Sequence, residues 1–457
     1  MSSLFPRPRA TTRVTRSVVL SVIAVAALAG CSAALPEAAD TSSSTAREAA
    51  QADVAASGLW DSRVVHSLSV SFDQDEYDAL IDTYLSTGEK EWISATVTID
   101  GETFEEVGLK LKGNSSLRSL STDADADLSA ENPQDLPWII RLDKFVDGQD
   151  LDGTTELVVR GNSSETSLNE ALALDLLEQT GLATEQAIAT RFSIGGSAET
   201  LRLVIENPSD EWAERELGDV LLYKAEAGGD YSYRGDEVSA YDDVFDQEAG
   251  EDDLTPLIAF LQWINETDDA TFAEELGEHL DVDAFATYLA FQELVDNFDD
   301  IDGPGNNSYL SYDAATGLMT VVNWDLNLAF GASPGGGGDQ GGGGDQGGGG
   351  FGGGGGGGRP PGQDADATDT AQTAAVGGGG GRGGGSNVLA ERFLAVDEFQ
   401  TLYTTKLERL QTELLDSGTA AEILETWTAT LTTHGSDLVP EATITEESDA
   451  LAQALAD

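Results

Sequence analysis

A single cysteine, Cys31, leaves the chain with no disulfide framework and no thiolate metal site. The three histidines, His66, His279 and His434, are too scattered for a histidine-rich zinc centre. Neither an H-E-x-x-H nor a G-x-S-x-G signature occurs. Positive charge is also scarce: 23 Lys and Arg stand against 83 Asp and Glu, a formal net charge of −60. That balance excludes nucleic acid as a partner, because phosphate backbones require basic patches. It argues equally against electrostatic docking on anionic lipid and reads as a solvated exterior. The only lysines are Lys90, Lys110, Lys112, Lys144, Lys224 and Lys406, so any phosphate-bearing ligand has few counter-charges to choose from.

What is present is enough for a folded protein. A length of 457 residues with 40% hydrophobic residues allows two to four domain-sized units and a sizeable core. Residues 1–30 read as an export signal, with Arg7, Arg9, Arg13 and Arg16 ahead of the short apolar run Ser17 to Ala29. The run closes on Leu28-Ala29-Gly30-Cys31, which resembles the lipobox of bacterial lipoproteins. That resemblance implies lipidation at Cys31 and an extracytoplasmic, lipid-anchored protein. Residues 31–58 are rich in Ala, Ser, Thr and acid, the composition of a tether.

Periodicity then predicts a strand over 64–72, an amphipathic helix over 73–85 and a hairpin of 93–99 with 104–111 about Asp100-Gly101. The turn Lys112-Gly113-Asn114-Ser115-Ser116 follows. By spacing alone it is a polar, self-capping turn, and its N–H and hydroxyl groups would equally suit nucleotide phosphates beside Lys112. No G-x-G-x-x-G precedes it. After an acidic insertion at 119–134, strands are expected over 138–142 and 157–159, then a second turn, Arg160-Gly-Asn-Ser-Ser164, whose echo of the first reads as coincidence. A helix over 168–180, a strand pair over 187–194 and 201–205, and a helix capped by Asn207 with Pro208 in its first position complete this part. Lys224 lies on an apolar strand over 220–225, where an ammonium requires a partner, either a carboxylate or a phosphate.

The chain is organised around residues 296–331. Asp296, Asp299, Asp300 and Asp302 form an acidic loop broken by Gly303-Pro304-Gly305, and two strands, 308–312 and 319–324, follow about the turn Asp313 to Gly317. Asp325 stands where the second strand ends. A hairpin of this kind brings the entrance loop and the exit carboxylate to one end. Mg²⁺ asks for such a place, since it takes oxygen ligands and usually only one or two carboxylates plus substrate phosphates. Residues 332–386 are largely glycine, a composition that cannot bury enough surface to fold, and 387–457 read as closing helices.

The segments N-F-D-…-N-x-Y-L and N-W-D-L-N-L-A-F-G, with V-H-S-L-S-V-S-F-D, V-G-L-K-L-K-G-N-S-S and L-Y-K upstream, resemble the CotH family of atypical secreted protein kinases. The resemblance implies an α+β, two-lobed, protein-kinase-like fold with a disordered Gly-rich insert. Its strand-rich lobe would span 59–225, and its helical lobe 226–331 with 387–457. It also implies transfer of the ATP γ-phosphate to protein hydroxyls with Mg²⁺ or Mn²⁺. By resemblance, Asp299 is the catalytic-loop Asp, Asn307 and Asp325 hold the metal, and Lys112, Asn114, Ser115 and Lys224 meet the nucleotide, with Lys112 and Lys224 unranked. Glu206 would orient a lysine or, alternatively, is a surface carboxylate. Several positions depart from the family pattern. Asn327 replaces the second Asp of W-D-x-D, Glu165 and Asn169 stand where the family shows Asp and Arg, and the wide gap leaves Asn306 or Asp302 as substitutes for Asn307. A catalytically inactive binding or scaffold lipoprotein on the same fold is the competing reading, since ATP outside the membrane is scarce and fold does not dictate function. A hydrolase lacks a nucleophile–base pair.

Overall fold

The computed structural model describes residues 58–113, 115–123, 126, 128–226, 230–303, 306–332 and 387–456. The expectations for the signal segment, Cys31, the tether, Asn114 and the Gly-rich insert fall outside these residues, as does the side chain of Ser115.

Seven strands close into a barrel: β1 (Val65–Phe72), β2 (Ile93–Ile99), β3 (Glu102–Leu111), β6 (Trp138–Arg141), β7 (Glu156–Val159), β9 (Thr200–Glu206) and β8 (Ala187–Ile194), in that order around the wall. An odd number of strands cannot alternate direction all the way round, and the closing pair β1–β8 is parallel while every other pair is antiparallel. The β2–β3 turn places Asp100 at φ 49° and Gly101 at φ 91°, the two positive angles a type I′ hairpin requires. Helix α1 (Gln74–Thr87) starts on Asp73, whose carboxylate accepts from the backbone N–H groups of Asp75 and Glu76, and ends on Gly88 in the left-handed region. The acidic insertion contributes only the short parallel pair β4 (Leu120–Ser121) and β5 (Leu128–Ser129).

Alternation along the strands gives the barrel wall two faces. Leu109, Leu111, Trp138, Ile140, Leu157 and Val159 fill the interior. Ile139, Val158 and Ile205 face outward and pack with Tyr309, Val322 and Trp324 of a second sheet. Lys110 belongs to the outward set of β3, because it alternates with Leu109 and Leu111, and Lys112 follows directly after the strand.

The second sheet has the order β11 (Phe245–Ala249), β10 (Leu221–Ala225), β12 (Ser308–Asp313), β13 (Leu318–Asn323). The strand carrying Lys224 pairs with β12 of the hairpin and not with the barrel strands, although the sequence reading includes it in the strand-rich lobe, 59–225. Residues 231–253 supply β11 and the buried Tyr231, Tyr241 and Phe245. Around these sheets lie α2 (Leu168–Glu178), α3 (Asp210–Glu216), α4 (Thr255–Glu266), α5 (Asp269–Glu275) and α6 (Val282–Leu294). The C-terminal set is α7 (Val388–Ala395), α8 (Asp397–Leu410), α9 (Thr419–His434) and α10 (Glu441–Ala454). The architecture is α+β, as expected from sequence.

Trp138 is fully buried in the barrel and its indole N–H donates to the Pro133 carbonyl at 2.8 Å. Trp138→Ala is expected to lower unfolding free energy by about 3–5 kcal/mol, read as a drop in urea midpoint at unchanged slope.

Candidate functional site

Five of the six lysines gather on one side of the molecule. Lys112 lies in the electrostatic reach of Lys224 and Lys110, Lys90 in that of Lys224 and Lys110, and Lys110 in that of Lys144 and Lys224. Lys110 and Lys144 both lie over the Trp92 ring, at 4.5 and 5.0 Å from its centroid. Gly108 makes room for this arrangement: a Cβ there would come within 2.6 Å of Lys144 and 2.8 Å of Trp92. Lys90 donates to the Gly113 carbonyl and Lys224 pairs with Glu226. Like charges converge here in a chain of net charge −60. Burial, reinforced by Lys224, pushes the Lys112 amine down to about 8.

Lys112 is held by an amide. Its Nζ donates to Asn207 Oδ1 at 3.0 Å, and Asn207 Nδ2 donates to Glu156 at 2.8 Å. Glu156 also pairs with Arg141 at 3.0 Å. Asn207 is thus not the helix cap expected from sequence. Ser209 caps α3, accepting from the Trp212 N–H, and the helix begins at Asp210. Glu206 does not orient a lysine either. Both of its oxygens accept from Arg215 at 2.7 Å, and one also accepts from the Gln186 N–H.

Opposite this wall stands the end of the β12–β13 hairpin. Ser308 pairs with Asn323 and Lys224 with Tyr309, so Asn307, Asp325 and Lys224 emerge at the same end of the second sheet. Trp324 lies between the two sheets, with Lys112 Nζ 5.3 Å and the Arg160 guanidinium 6.0 Å from its ring. Asp325 takes φ 63°, and Arg160 donates to its carboxylate. The same guanidinium reaches Glu170 of α2 at 2.9 Å. Burial opposes the charge on Arg160, but Asp325 and Glu170 together outweigh it and hold the guanidinium well above its usual range. The neighbouring turn completes the contact: Ser163 Oγ and Asn169 Nδ2 both donate to the Asn327 carbonyl, at 3.3 and 2.7 Å.

The acidic loop has its own scaffold. Asn307 Nδ2 donates to the Asp299 carbonyl at 2.8 Å, and the Asn307 N–H to the Asp300 carbonyl at 3.2 Å. Asp299 is half-buried, and Asp300 is buried. Gly303 folds onto this loop so closely that a Cβ would come within 2.4 Å of the Asp299 Cα. Asn306, at φ 51°, donates to the Glu226 carbonyl, tying the loop to the strand of Lys224.

Among the described residues, no three His, Cys, Asp or Glu side chains gather as a metal site. The donors at the hairpin end, one carboxylate from Asp325 and the amide oxygen of Asn307, fit a cation that takes most of its remaining ligands from phosphates. Arg160 would compete for the same carboxylate. A cavity of about 610 Å³ opens elsewhere, lined by Phe72, Tyr77, Ile81 and Ile194, and includes none of the lysines. Arg160, Glu156 and Asn207 are the participants that sequence reasoning missed. The signal for the first was present in R-G-N-S-S, set aside as an echo.

The fold and site define an α+β protein in which a lysine-bearing barrel wall faces an acidic hairpin. Residues 109–439 match the family described as CotH kinase protein, and the chain belongs to that family. Inner spore coat protein H of Bacillus subtilis (strain 168) is 25% identical over 187 residues, 39% of this chain and 51% of that protein. The chain thus spans about half the length of this relative.

Beneath the site, Glu185 is buried with neither carboxylate oxygen hydrogen-bonded, and burial pushes its carboxyl up to about 8. A carboxyl raised on folding favours the folded state below its unfolded value, near 4.5, and that advantage is lost as pH climbs through about 8. Glu185→Gln is expected to flatten the fall in melting temperature between these pH values and to exceed the wild type in stability at the alkaline end.

Proposed function

We propose that this protein is a phosphotransferase that moves the γ-phosphate of ATP to hydroxyl groups of a protein substrate, with Mg²⁺ or Mn²⁺, on a two-lobed kinase-like arrangement. The barrel would be one lobe and the second sheet with its helices the other. The observation that carries the reading is the convergence of Lys90, Lys110 and Lys112, on and beside the barrel strands, with Lys224 of the second sheet, beside the hairpin end that bears Asn307 and Asp325. Phosphoryl transfer asks mainly for positioning and charge neutralisation. Lys112 and Lys224 would meet the phosphates. Asn307 and Asp325 would hold the cation, which supplies neutralisation of phosphate charge when bound. Asp299 would accept or orient the acceptor hydroxyl, with its backbone fixed by Asn307.

The lipobox-like Leu28-Ala29-Gly30-Cys31 and the spore-coat relative support action outside the cytoplasm, on a lipid anchor at Cys31. No helix among the described residues is long and apolar enough to cross a membrane. The competing reading, a catalytically inactive binding or scaffold protein, is favoured by one contact: Arg160 occupies the carboxylate of Asp325.

Labelled ATP with Mg²⁺ or Mn²⁺ tests the proposal. Phosphate incorporation into the protein or a general acceptor is expected, with loss in both Asp299→Ala and Asp325→Ala. No incorporation together with no ATP-dependent rise in melting temperature would overturn the nucleotide reading, and binding without transfer would support the inactive one. Lys112→Ala is expected to weaken ATP binding by about 10–100-fold, the worth of one charge-assisted hydrogen bond. ATP affinity of the wild type is expected to fall as pH rises through about 8, where the Lys112 amine loses its proton, and to do so less in Lys112→Ala. Asn327→Asp, which adds a carboxylate beside Asp325, is expected to lower the Mn²⁺ concentration needed for half-maximal activity.

A further inference from the structure

The turn that carries Arg160 is gripped from its far side by the C-terminal helix. Glu447 of α10 receives four donors on one carboxylate: Ser164 Oγ at 2.9 Å, the Glu165 N–H at 2.9 Å, the Thr166 N–H at 3.1 Å and Thr166 Oγ1. Thr166 and Ser167 are buried, and Ser167 enters α2 at φ 53° without a side-chain cap of its own. Glu447 thus supplies, from a distant part of the chain, an anion at the start of α2, where backbone N–H groups lack helical partners.

The same stretch, residues 160–170, faces the site with its other side. Arg160 holds Asp325, Ser163 and Asn169 hold the Asn327 carbonyl, and Glu170 holds Arg160. The turn is therefore a short bracket with Glu447 on one flank and residues 325–327 on the other. Its composition explains why an outside anion is needed. Ser-Ser-Glu-Thr-Ser is a polar stretch whose hydroxyls and N–H groups would otherwise compete for water and for each other.

We infer that Glu447 is a positioning residue for the candidate metal end of the site: it fixes the 160–170 bracket and, through it, the placement of Asp325 and Asn327. Its effect on catalysis rests on the phosphotransferase reading, while its effect on the bracket does not. The lysines that would bind phosphate lie on or beside the sheets, at Lys112 after β3 and Lys224 within β10, and are outside this bracket. Loss of Glu447 therefore acts on the metal requirement and not on phosphate contact.

The test uses the full chain with Glu447→Gln, Thr166→Val from the opposite side of the contact, their double variant, and the exposed neighbour Glu446→Gln as control. Hydrogen exchange of the peptide covering 323–332 is expected to speed up at least about tenfold in Glu447→Gln and in Thr166→Val, with no further gain in the double variant. Exchange in β2–β3 and β12 should stay at the wild-type rate, and Glu446→Gln should match wild type throughout. In the transfer assay, the Mn²⁺ needed for half-maximal rate is expected to rise about tenfold in Glu447→Gln, with the KM for ATP at saturating Mn²⁺ within about threefold of wild type. Unchanged exchange at 323–332 in the folded variants, or additive effects in the double, would overturn the inference. Should the wild type show no nucleotide-dependent signal while the exchange pattern appears, the phosphotransferase reading fails and the bracket stands.

Discussion

One buried guanidinium carries much of the organisation of this molecule. Arg160 leaves the end of β7 and is met by two carboxylates, Glu170 from α2 and Asp325 from beyond β13. A buried charge is tolerable only when paired and hydrogen-bonded, and removing one partner of such an arrangement is far more costly than its net worth in the intact protein. The ion cluster therefore does little as a source of stability and much as a constraint. It requires the barrel, the helix behind it and the hairpin end to keep one mutual arrangement. Glu170 shows the strain of the position: burial pushes its carboxyl up against the pull of Arg160.

The distribution of charge follows the same logic on a larger scale. A chain with 83 acidic side chains repels anions from nearly every direction. Gathering five lysines from the barrel wall and the facing sheet, each within reach of Glu156, Glu226 or Glu248 or over Trp92, creates a local reversal of that field. The glutamates keep the cluster from repelling itself in the absence of a ligand. The indoles of Trp92 and Trp324 do similar work by offering ring faces to ammonium groups.

Much of this was legible in the sequence, for identifiable reasons. The hairpin of β12 and β13 announces itself through alternation and the turn Asp313 to Gly317, and Asp325 falls at its end as expected. Lys224 stands out because an ammonium on an apolar strand needs a partner, and Lys112 because it adjoins the Gly-Asn-Ser-Ser turn. Local rules failed where a distant partner won. Asn207 and Ser209 flank Pro208 and both are good helix caps, and the choice between them was made by Lys112 and Glu156, which sequence spacing does not reveal. β11 was missed because only its ends, Phe245 and Ala249, are buried. The closed barrel depends on the parallel pairing of β1 with β8, a long-range contact with no local signature. Asn169, at the position where the family resemblance implies Arg, donates its amide to the Asn327 carbonyl.

The backbone itself marks the same region. Of the eight described non-glycine residues with positive φ, five are Ser167, Asp296, Asn306, Asp325 and Phe330, all in the segments that build the bracket, the acidic loop and the hairpin exit. Left-handed backbone costs an L-residue roughly 1–2 kcal/mol, least for Asn and Asp, and glycine would remove that cost. Glycine would also remove the carboxylates of Asp296 and Asp325 and the amide of Asn306. The candidate site is therefore a place where this chain trades conformational ease for polar side chains. A sequence optimised only for thermal endurance would drift toward glycine here first, and would reach greater durability by erasing the polar groups gathered at the hairpin end.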